Sequence, residues 1–496
     1  MQEYQDMRVW KHMQEQVMSD SENMDFQTKL NKNKIYLLSL IFIIGLILRF
    51  YNINFEDLWF DEQSSFLIAD PALSHKETIL KSKNLDSGTG IVFNLILKGY
   101  FNVFGYNPDI GRILTAVFGV IAIPALTYLN FKITKNYGFI LVAFLSSISW
   151  YLISYSQELR LYSFLFLLSI LSIIFFFRIL EISEKKIINF NYILYILISS
   201  LAATTHIFFF IILFSQFIYL VLNKSQIKEK FYIKLFCILI IPIIYLIIMY
   251  DFLILQMSIN DFWIKQVELD FFVNFFFSRF FGSKIMGTIY LIILIYLIFI
   301  NRKIVFNISS KYFFLFLILF FSYFLPLIYS LFKQPILTDR YIIFVLIPIF
   351  ILISSLIFEI KSLKKKFVLI FIILTSTLAN NYIEIFQREI SKPEFKKTIN
   401  YIIKSETEKN LFVLAEHKIH QEIVSNYTKN LLSHKNEIFK ISDNINGENF
   451  KNVWLLCYKP LNQFNCSHSD IEILKLKKKD HVNYKLISAT LYEKAF

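Results

Sequence analysis

The sequence predicts an all-α polytopic membrane protein with about eleven transmembrane helices and a small α/β domain at its C-terminal end. Its 496 residues are 56% hydrophobic and include 56 phenylalanines, and their mean hydropathy is +0.52. Only 18% are charged, against about 25% in a soluble globular protein. Long apolar runs alternate with short lysine-bearing loops, and a polar, lysine-rich composition follows residue 382.

The apolar runs are candidates for membrane spans, because a span needs about 17–25 apolar residues. They lie at 35–52, 112–131, 138–154, 160–180, 187–222, 231–250, 286–301, 312–331, 341–359 and 366–382. The run 187–222 is long enough for two short passes that turn near ATTH at 203–206. This second pass brings the total to about eleven.

Lysines in the short loops predict the direction of each crossing, because cytoplasmic loops are enriched in Lys and Arg. Lys29, Lys32 and Lys34 precede the first run, which predicts a cytoplasmic N-terminus. The later lysine loops stay on that side only if 187–222 crosses twice and IVFNLILKGYFNVF (91–104) does not cross. We therefore expect 91–104 to lie in the outer interface and the C-terminus to be extracytoplasmic.

Three domains follow from this threading: a polar cytoplasmic N-terminus (1–34), a transmembrane domain (35–382) with a first outer loop at 53–111, and an extracytoplasmic α/β domain (383–496). The polar N-terminus does not form a signal peptide, so the first run is expected to be a retained anchor. The net charge of +13 follows the loop lysines, so we expect membrane lipids and no nucleic acid as partners.

The C-terminal domain carries short secondary-structure signals. NLFVLA (410–415) and NVWLLCY (452–458) predict buried strands, and EFKKTINYIIKS (394–405) predicts an amphipathic helix. Cys457 and Cys466 either pair in an oxidising compartment or remain free thiols.

Acidic and cationic residues gather on the predicted outer face. Asp61 and Glu62 are adjacent within WFDEQSSF (59–66), and Arg49 and Arg112 lie near span ends. A translocating carboxylate would be expected near the middle of the membrane. Two interpretations therefore remain open: the arginines neutralise the acids, or one acid is a general base. Because guanidinium groups bind phosphate bidentately, a substrate with a phosphate at headgroup level, such as a polyprenyl-phosphate sugar, would fit the second.

Six segments, in order between about residues 35 and 382, resemble the GT-C glycosyltransferases, specifically the protein O-mannosyltransferase-like branch and its bacterial relatives. They are Arg49, LWFDEQSSFLIA (58–69), FNVFGYNPDIGRILTAVFGVIAIPALTYL (101–129), SYSQELRLYSFLFL (154–167), THIFFFIILFSQ (205–216) and DRYIIFVLIPIFIL (339–352). The chain departs from the pattern at SGTGIVF (87–93), where relatives commonly carry a His- or Asn-Pro-Pro.

The resemblance implies a membrane glycosyltransferase of the cell envelope that inverts configuration. The donor would be an undecaprenyl- or dolichyl-phosphate sugar, carrying a mannose-like hexose or a pentose. The acceptor would be a hydroxyl of a glycan, lipid or protein on the outer face of the cytoplasmic membrane. No cofactor is expected, although some GT-C enzymes use a divalent cation.

The resemblance also implies roles for individual residues. Asp61 would be the general base, with Glu62 as its acceptor-positioning partner or substitute. The remaining candidates would bind the donor phosphate, orient the acids or line the cavity: Arg49, Arg112, Arg160, Glu158, Tyr162, His206, Arg340 and Tyr341.

Alternative interpretations stay open for several of these features. The protein could be a flippase for polyprenol-linked glycans or a polysaccharide transporter, although transporters favour broken helices with charges at the midplane. His206 could be an ordinary buried histidine, and Arg160 an interfacial anchor. Asp109 and Arg112 could simply cap and pair at a helix start. The aromatic loop DFFVNFFFSRFF (270–281) could be an interfacial helix or a cradle for the prenyl chain.

Overall fold

The computed structural model describes residues 32–86, 90–182, 189–227, 230–257, 279–333, 335–405, 411–415, 418–431, 439–442, 452–458 and 469–493. The predictions for residues 1–31, for most of the aromatic loop 270–281 and for Cys466 fall outside these ranges.

Helices dominate the chain up to residue 386. They are α1 (Lys32–Phe50), α2 (Phe60–Ile68), α3 (His75–Leu85), α4 (Ile91–Phe104), α5 (Pro108–Thr134), α6 (Gly138–Ile148), α7 (Trp150–Ser156), α8 (Tyr162–Leu180), α9 (Phe190–Thr205), α10 (Phe210–Leu222), α11 (Phe231–Met257), α12 (Lys284–Ile300), α13 (Arg302–Val305), α14 (Lys311–Phe332), α15 (Leu346–Glu359) and α16 (Leu363–Asn381). Short 3-10 helices precede α10 (Ile207–Phe209) and α15 (Arg340–Val345), and a π-helix (Tyr382–Phe386) follows α16.

The predicted polytopic, all-α membrane class is confirmed. Within the described residues, seven helices are long and apolar enough to cross a membrane, and the pair α6 and α7, bent by 52°, supplies an eighth if it is one span. The described residues also contain four shorter apolar helices, Ile91–Phe104, Phe190–Thr205, Ile207–Leu222 and Lys284–Ile300. The total of about eleven crossings stays a prediction. The most enclosed spans are α8 and the span from Arg340 to Glu359, 78% and 89% buried over their apolar windows, so these two form the centre of the bundle.

The loops segregate to two ends of the bundle. At one end Lys132 and Lys311 both pair with Glu181, and Asn136 donates to Glu359 at 2.9 Å. The loops that contact each other here are the lysine-bearing loops assigned to one side of the membrane by the sequence. The first loop, with Asp61, lies at the other end, where it meets the turn at 157–161 and Arg340.

The expected continuous span 138–154 is instead broken at Ser149, which has an extended backbone between α6 and α7. A helix end leaves its last carbonyls without intrahelical partners. Arg49 supplies donors to two of them: Nη1 donates to the Ser147 carbonyl at 3.0 Å and Nη2 to the Ser146 carbonyl at 2.8 Å. No proline or glycine marks this bend in the sequence, so the apolar run gave no sign of it.

The C-terminal part is an α/β unit. Its helices are α17 (Phe395–Ser405), α18 (Lys418–Leu431) and α19 (Ser469–Ile473), and its strands are β1 (Leu411–Ala415), β2 (Phe439–Ser442), β3 (Asn452–Tyr458), β4 (Lys477–Tyr484) and β5 (Ile487–Glu493). The sheet order is β2-β1-β3-β5-β4, with β1 parallel to β2 and β3, and β5 antiparallel to β3 and β4. The elements expected at 410–415, 452–458 and 394–405 coincide with β1, β3 and α17.

The α/β unit sits on the first loop. The Tyr458 hydroxyl accepts the Phe60 N–H at 3.4 Å, and the Tyr106 hydroxyl donates to Asn426 Oδ1 at 2.9 Å. Cys457 is disulfide-bonded. The sheet and the Asp61 loop therefore share one end of the bundle.

Substitution of Gly119 by alanine should destabilise the bundle by about 1–3 kcal/mol, the usual cost of overpacking. A Cβ at Gly119 would lie 2.8 Å from Ser156 Cβ and 3.1 Å from Arg49 Nε, so α5 would have to move away from the broken span. We expect a lower melting temperature in detergent. The matched control is Gly99→Ala on α4, where a Cβ meets nothing within 4 Å; equal effects of the two substitutions would contradict this packing.

Candidate active site

The acid pair lies in the first turn of α2. Glu62 is the third residue of the helix, and its Oε2 accepts the Trp59 backbone N–H at 3.4 Å, just before the helix begins. Carboxylates in a first turn are favoured by the partial positive charge of the helix N-terminus. The sequence DE at 61–62 therefore helps to start the helix that carries it.

Glu62 is an anchor of the site, because its side chain is fully buried and both of its carboxylate oxygens accept hydrogen bonds. Arg112 binds it bidentately, with Nε and Nη2 each 2.8 Å from a carboxylate oxygen. The Leu159 N–H donates at 2.7 Å and Lys392 Nζ at 2.8 Å. Arg112 also donates to the Glu56 carbonyl at 2.6 Å, so it ties the first loop to α5.

The pKa of Glu62 reflects this set of partners. Burial alone would raise the pKa, but the charges of Arg112 and Lys392 and the hydrogen bonds from Arg112 and Leu159 outweigh burial and lower the pKa below the ordinary value. Glu62 therefore stays ionised and fully bonded at neutral pH, which suits a group that positions others.

Asp61 differs from its neighbour because its side chain is 26% exposed. Its Oδ2 accepts Arg340 Nη1 at 2.9 Å. Its backbone carbonyl accepts Arg160 Nη1 at 3.1 Å and the Ser65 hydroxyl at 3.2 Å. Asp61 is thus held in place through its backbone, while its carboxylate faces accessible space beside a guanidinium group.

Aromatic rings surround the Arg340 guanidinium. Its Cζ lies 5.5 Å from the Trp59 ring centroid and 5.8 Å from those of Tyr162 and Tyr341. Such cation–π contacts orient the guanidinium and keep it charged when partly desolvated. Arg340 opens the 3-10 helix that leads into α15, one of the two most enclosed spans, so its backbone is rigidly supported.

The turn between α7 and α8 contributes Glu158 and Arg160. Trp59 Nε1 donates to Glu158 Oε1 at 2.6 Å, and burial raises the pKa of Glu158. Arg160 binds Asp86 through two nitrogens, at 2.9 and 3.1 Å. Glu158 lies at the wall of the site, whereas Arg160 holds Asp86 and the Asp61 backbone.

His206 is buried at the turn between α9 and the 3-10 helix, and its ring centroid is 4.7 Å from that of Tyr341. Its Nδ1 accepts the Phe208 N–H at 3.2 Å, so the neutral ring carries its proton on Nε2. Burial, then Arg340 and Arg160, lower the pKa of His206 to about 3. Among the described residues nothing accepts a hydrogen bond from the buried Nε2.

One expected site residue, Arg49, lies apart from this cluster. It is 1% exposed and bonded to the broken span, and Gln157 Nε2 donates to its carbonyl at 3.2 Å. These contacts give Arg49 a structural role at the bend of the span, which differs from the two roles expected for it, neutralising the acids and binding phosphate. The other nine candidates are linked around Asp61 by the contacts above, and Arg112 serves the neutralising role considered for it.

Sequence reasoning did not assign site roles to Trp59, Asp86 or Lys392. Trp59 stands two residues before the acid pair, and Asp86 is a further acid of the same predicted outer loop. Lys392 lies 330 residues from Glu62 in the chain, and nothing in its local sequence distinguishes it from other lysines.

The described residues contain no group of three or more His, Cys, Asp or Glu side chains placed to hold a metal ion. The expectation that no cofactor is needed stays a prediction.

Comparison with solved structures defines the fold: the chain shares the fold of ArnT and of an archaeal oligosaccharyltransferase. ArnT from Cupriavidus metallidurans in the apo state superimposes with a TM-score of 0.60 at 8% identity, covering 93% of this chain and 98% of that one. The same protein bound to undecaprenyl phosphate superimposes with a TM-score of 0.54 at 10% identity, covering 91% of this chain and 97% of that one. A third structure is that of AglB, an oligosaccharyltransferase from Archaeoglobus fulgidus, in complex with an inhibitory peptide and a dolichol-phosphate. It superimposes with a TM-score of 0.50 at 10% identity, covering 87% of this chain and 70% of that one. The sequence matches no protein-family profile and no curated protein.

The Glu62 anchor predicts a pH-dependent stability. Because the folded-state pKa of Glu62 is lowered, its contribution is fully present above about 4.3, the ordinary pKa of a glutamate, and is lost as the pH falls towards the folded value. Glu62→Gln leaves Arg112 buried without a carboxylate and should cost about 3–5 kcal/mol at pH 7.

Melting curves in detergent between pH 7 and pH 3 would test this. The gap in melting temperature between wild type and Glu62→Gln should narrow below about pH 4.3. The control is Glu181→Gln, which breaks half-exposed pairs at the other end and should cost less than about 1 kcal/mol. A gap that stays constant over the whole range would contradict the anchor role.

Proposed function

We propose that the protein is a membrane glycosyltransferase that moves a sugar from a polyprenyl-phosphate donor to an acceptor hydroxyl, with inversion, at the outer face of the cytoplasmic membrane. The observation that carries the proposal is the contrast within the acid pair. Glu62 is buried and saturated with donors, whereas Asp61 is partly exposed, fixed through its backbone and placed beside Arg340. Only Asp61 is free to reach an acceptor.

The reaction assigned to this geometry is a single displacement. The acceptor oxygen forms a bond to the anomeric carbon of the donor sugar as its proton passes to the Asp61 carboxylate. The bond between the anomeric carbon and the phosphate oxygen breaks, and the electron pair leaves with the polyprenyl phosphate. Attack opposite to the leaving group inverts the anomeric configuration.

Cationic and neutral donors around Asp61 suit the leaving phosphate. Arg340 remains charged among its aromatic neighbours. Because a guanidinium group has five N–H donors, Arg340 can bind Asp61 and an anionic phosphate oxygen at the same time. The His206 Nε2–H is a neutral donor at the same wall. Glu62, Arg112 and Arg160 orient the acid rather than touch the substrate, and Glu158, Tyr162 and Tyr341 line the wall.

The solved structures with this fold support the donor class. ArnT is seen bound to undecaprenyl phosphate and AglB with a dolichol-phosphate. Both carriers join a polyprenyl chain to a phosphate, the chemistry that a buried arginine cluster beside a bilayer would recognise. The disulfide at Cys457 supports an extracytoplasmic α/β unit, since disulfides persist in oxidising compartments.

Asp61→Asn should lower the turnover number by about 10²–10⁴-fold, the contribution of a general base, while donor binding persists. The measurement is transfer or hydrolysis across a panel of polyprenyl-phosphate sugars in proteoliposomes. Asp70→Asn is the control, because Asp70 stands in the same loop and its carboxylate accepts a local backbone bond from Ala72. The proposal fails if no donor is consumed, and it would give way to the flippase alternative if labelled lipid changes leaflets independently of Asp61.

The topology has a separate test. Lys478→Cys in β4 and Lys361→Cys between α15 and α16 each place a thiol at an exposed position. A membrane-impermeant maleimide should label Lys478→Cys on intact cells and Lys361→Cys only after permeabilisation. The reverse pattern would place the Asp61 site in the cytoplasm and overturn the proposed location.

A further inference from the structure

The stretch that joins the last membrane helix to the α/β unit binds the acids of the first loop. We call residues 387–396 the junction segment. Arg388 pairs with Glu56, the Ser391 hydroxyl donates to Glu56 at 2.7 Å, and the Lys396 N–H donates to Asp57 at 2.8 Å.

One contact of the junction segment enters the site itself. Lys392 Nζ donates to Glu62 Oε2 at 2.8 Å, and its backbone N–H donates to Glu56 at 3.1 Å. The Lys392 side chain is 19% exposed and Glu62 is fully buried. This pair is therefore enclosed, unlike the neighbouring pair of Lys396 and Asp109, whose side chains are 35% and 50% exposed.

We propose that Lys392 is a positioning residue for the Asp61 site, which acts through Glu62, so that the site is complete only when the junction segment is docked on the first loop. The inference rests on the proposed transferase function. It adds a residue that lies outside the transmembrane helices and links the α/β unit to the chemistry.

The geometry explains how a contact to Glu62 reaches Asp61. Glu62 Oε2 is shared by Arg112 Nη2, Lys392 Nζ and the Trp59 N–H. These donors come from α5, from the junction segment and from the residue before α2, and together they fix the first turn of α2. Asp61 belongs to the same turn, so loss of one donor allows that turn to shift. A misplacement of about 1 Å can cost on the order of 10²-fold in rate.

Charge distribution supports the same role. The charged and titratable groups that act on Glu62 are Arg112 from α5, Glu158 from the turn before α8, Lys392 from the junction segment and Tyr458 from β3. Burial raises the pKa of Glu158, and among the neighbouring charges that of Lys392 has the largest effect and lowers it. Lys392 thus offsets two buried carboxylates at once, and its removal should raise the pKa of both.

The test compares Lys392→Met with Lys396→Met in the full-length protein. Both changes remove one lysine charge from the same stretch, but only Lys392 touches Glu62. We expect Lys392→Met to lower the turnover number by about 10- to 100-fold with the KM for the donor changed less than about twofold. The acidic limb of the pH–rate profile of Lys392→Met should move to higher pH. Lys396→Met should match wild type in turnover number, in KM and in pH–rate profile.

Two further variants separate positioning from mere support of the fold. Lys392→Arg retains the charge and should recover most of the turnover, and in a Glu62→Gln background Lys392→Met should cause no further loss of turnover. If Lys392→Met does not fold, Lys392→Gln makes the same comparison with a neutral polar end. Melting temperatures of all variants report the structural contribution independently of activity.

The outcomes distinguish this inference from the proposed function. If wild type transfers sugar and Asp61→Asn does not, but Lys392→Met matches Lys396→Met in turnover and pH profile, then Lys392 has no positioning role while the transferase function stands. If wild type consumes no donor, the proposed function fails first, and the positioning role fails with it.

Discussion

The buried ion pair between Glu62 and Arg112 is the interaction on which the rest of the site depends. Two charges removed from water are costly unless their hydrogen bonds are nearly complete, and here the pair completes them by drawing in Leu159 and Lys392. Each donor comes from a different part of the chain. One carboxylate therefore fixes the relative positions of the first loop, the start of α5, the turn before α8 and the junction segment.

This arrangement places the two acids in different surroundings, although they are neighbours in the sequence. Side chains at consecutive helix positions point about 100° apart, so one can face the bundle and the other the open side. Glu62 points towards cations and is saturated, and Asp61 points towards accessible space and Arg340. In the proposed mechanism the structural carboxylate of Glu62 thus places the carboxylate of Asp61, so that the base stays reactive while its backbone is rigid.

Much of the fold could be predicted because the bilayer imposes strong rules on sequence. The lysine-bearing loops and the lengths of the apolar runs predicted which segments cross the membrane. This threading assigned the acid pair, Arg160 and Arg340 to the same side, and the candidate site was predicted from that. The bend at Ser149 could not be predicted, because Arg49 satisfies its carbonyls from another helix. Strand β2 was missed because it has only four residues, and β4 because it is polar: it reads KKKDHVNY and pairs with β5. Strand β5 (ISATLYE) was overlooked, although its apolar and polar residues alternate. Lys392 was missed because its role depends on a contact across most of the chain.

The distances along the chain also set an order of assembly during synthesis. Glu62 meets Arg112 after 50 residues, Asp61 meets Arg340 after 279, and Glu62 meets Lys392 only after 330. A ribosome delivers these partners in that order, since chains emerge from the N-terminus. The early partner is synthesised before most of the membrane helices, and the last one is synthesised after all the membrane helices that the structure describes. A nascent chain that has not yet reached residue 392 therefore has the partner Arg112 for Glu62 but lacks Lys392.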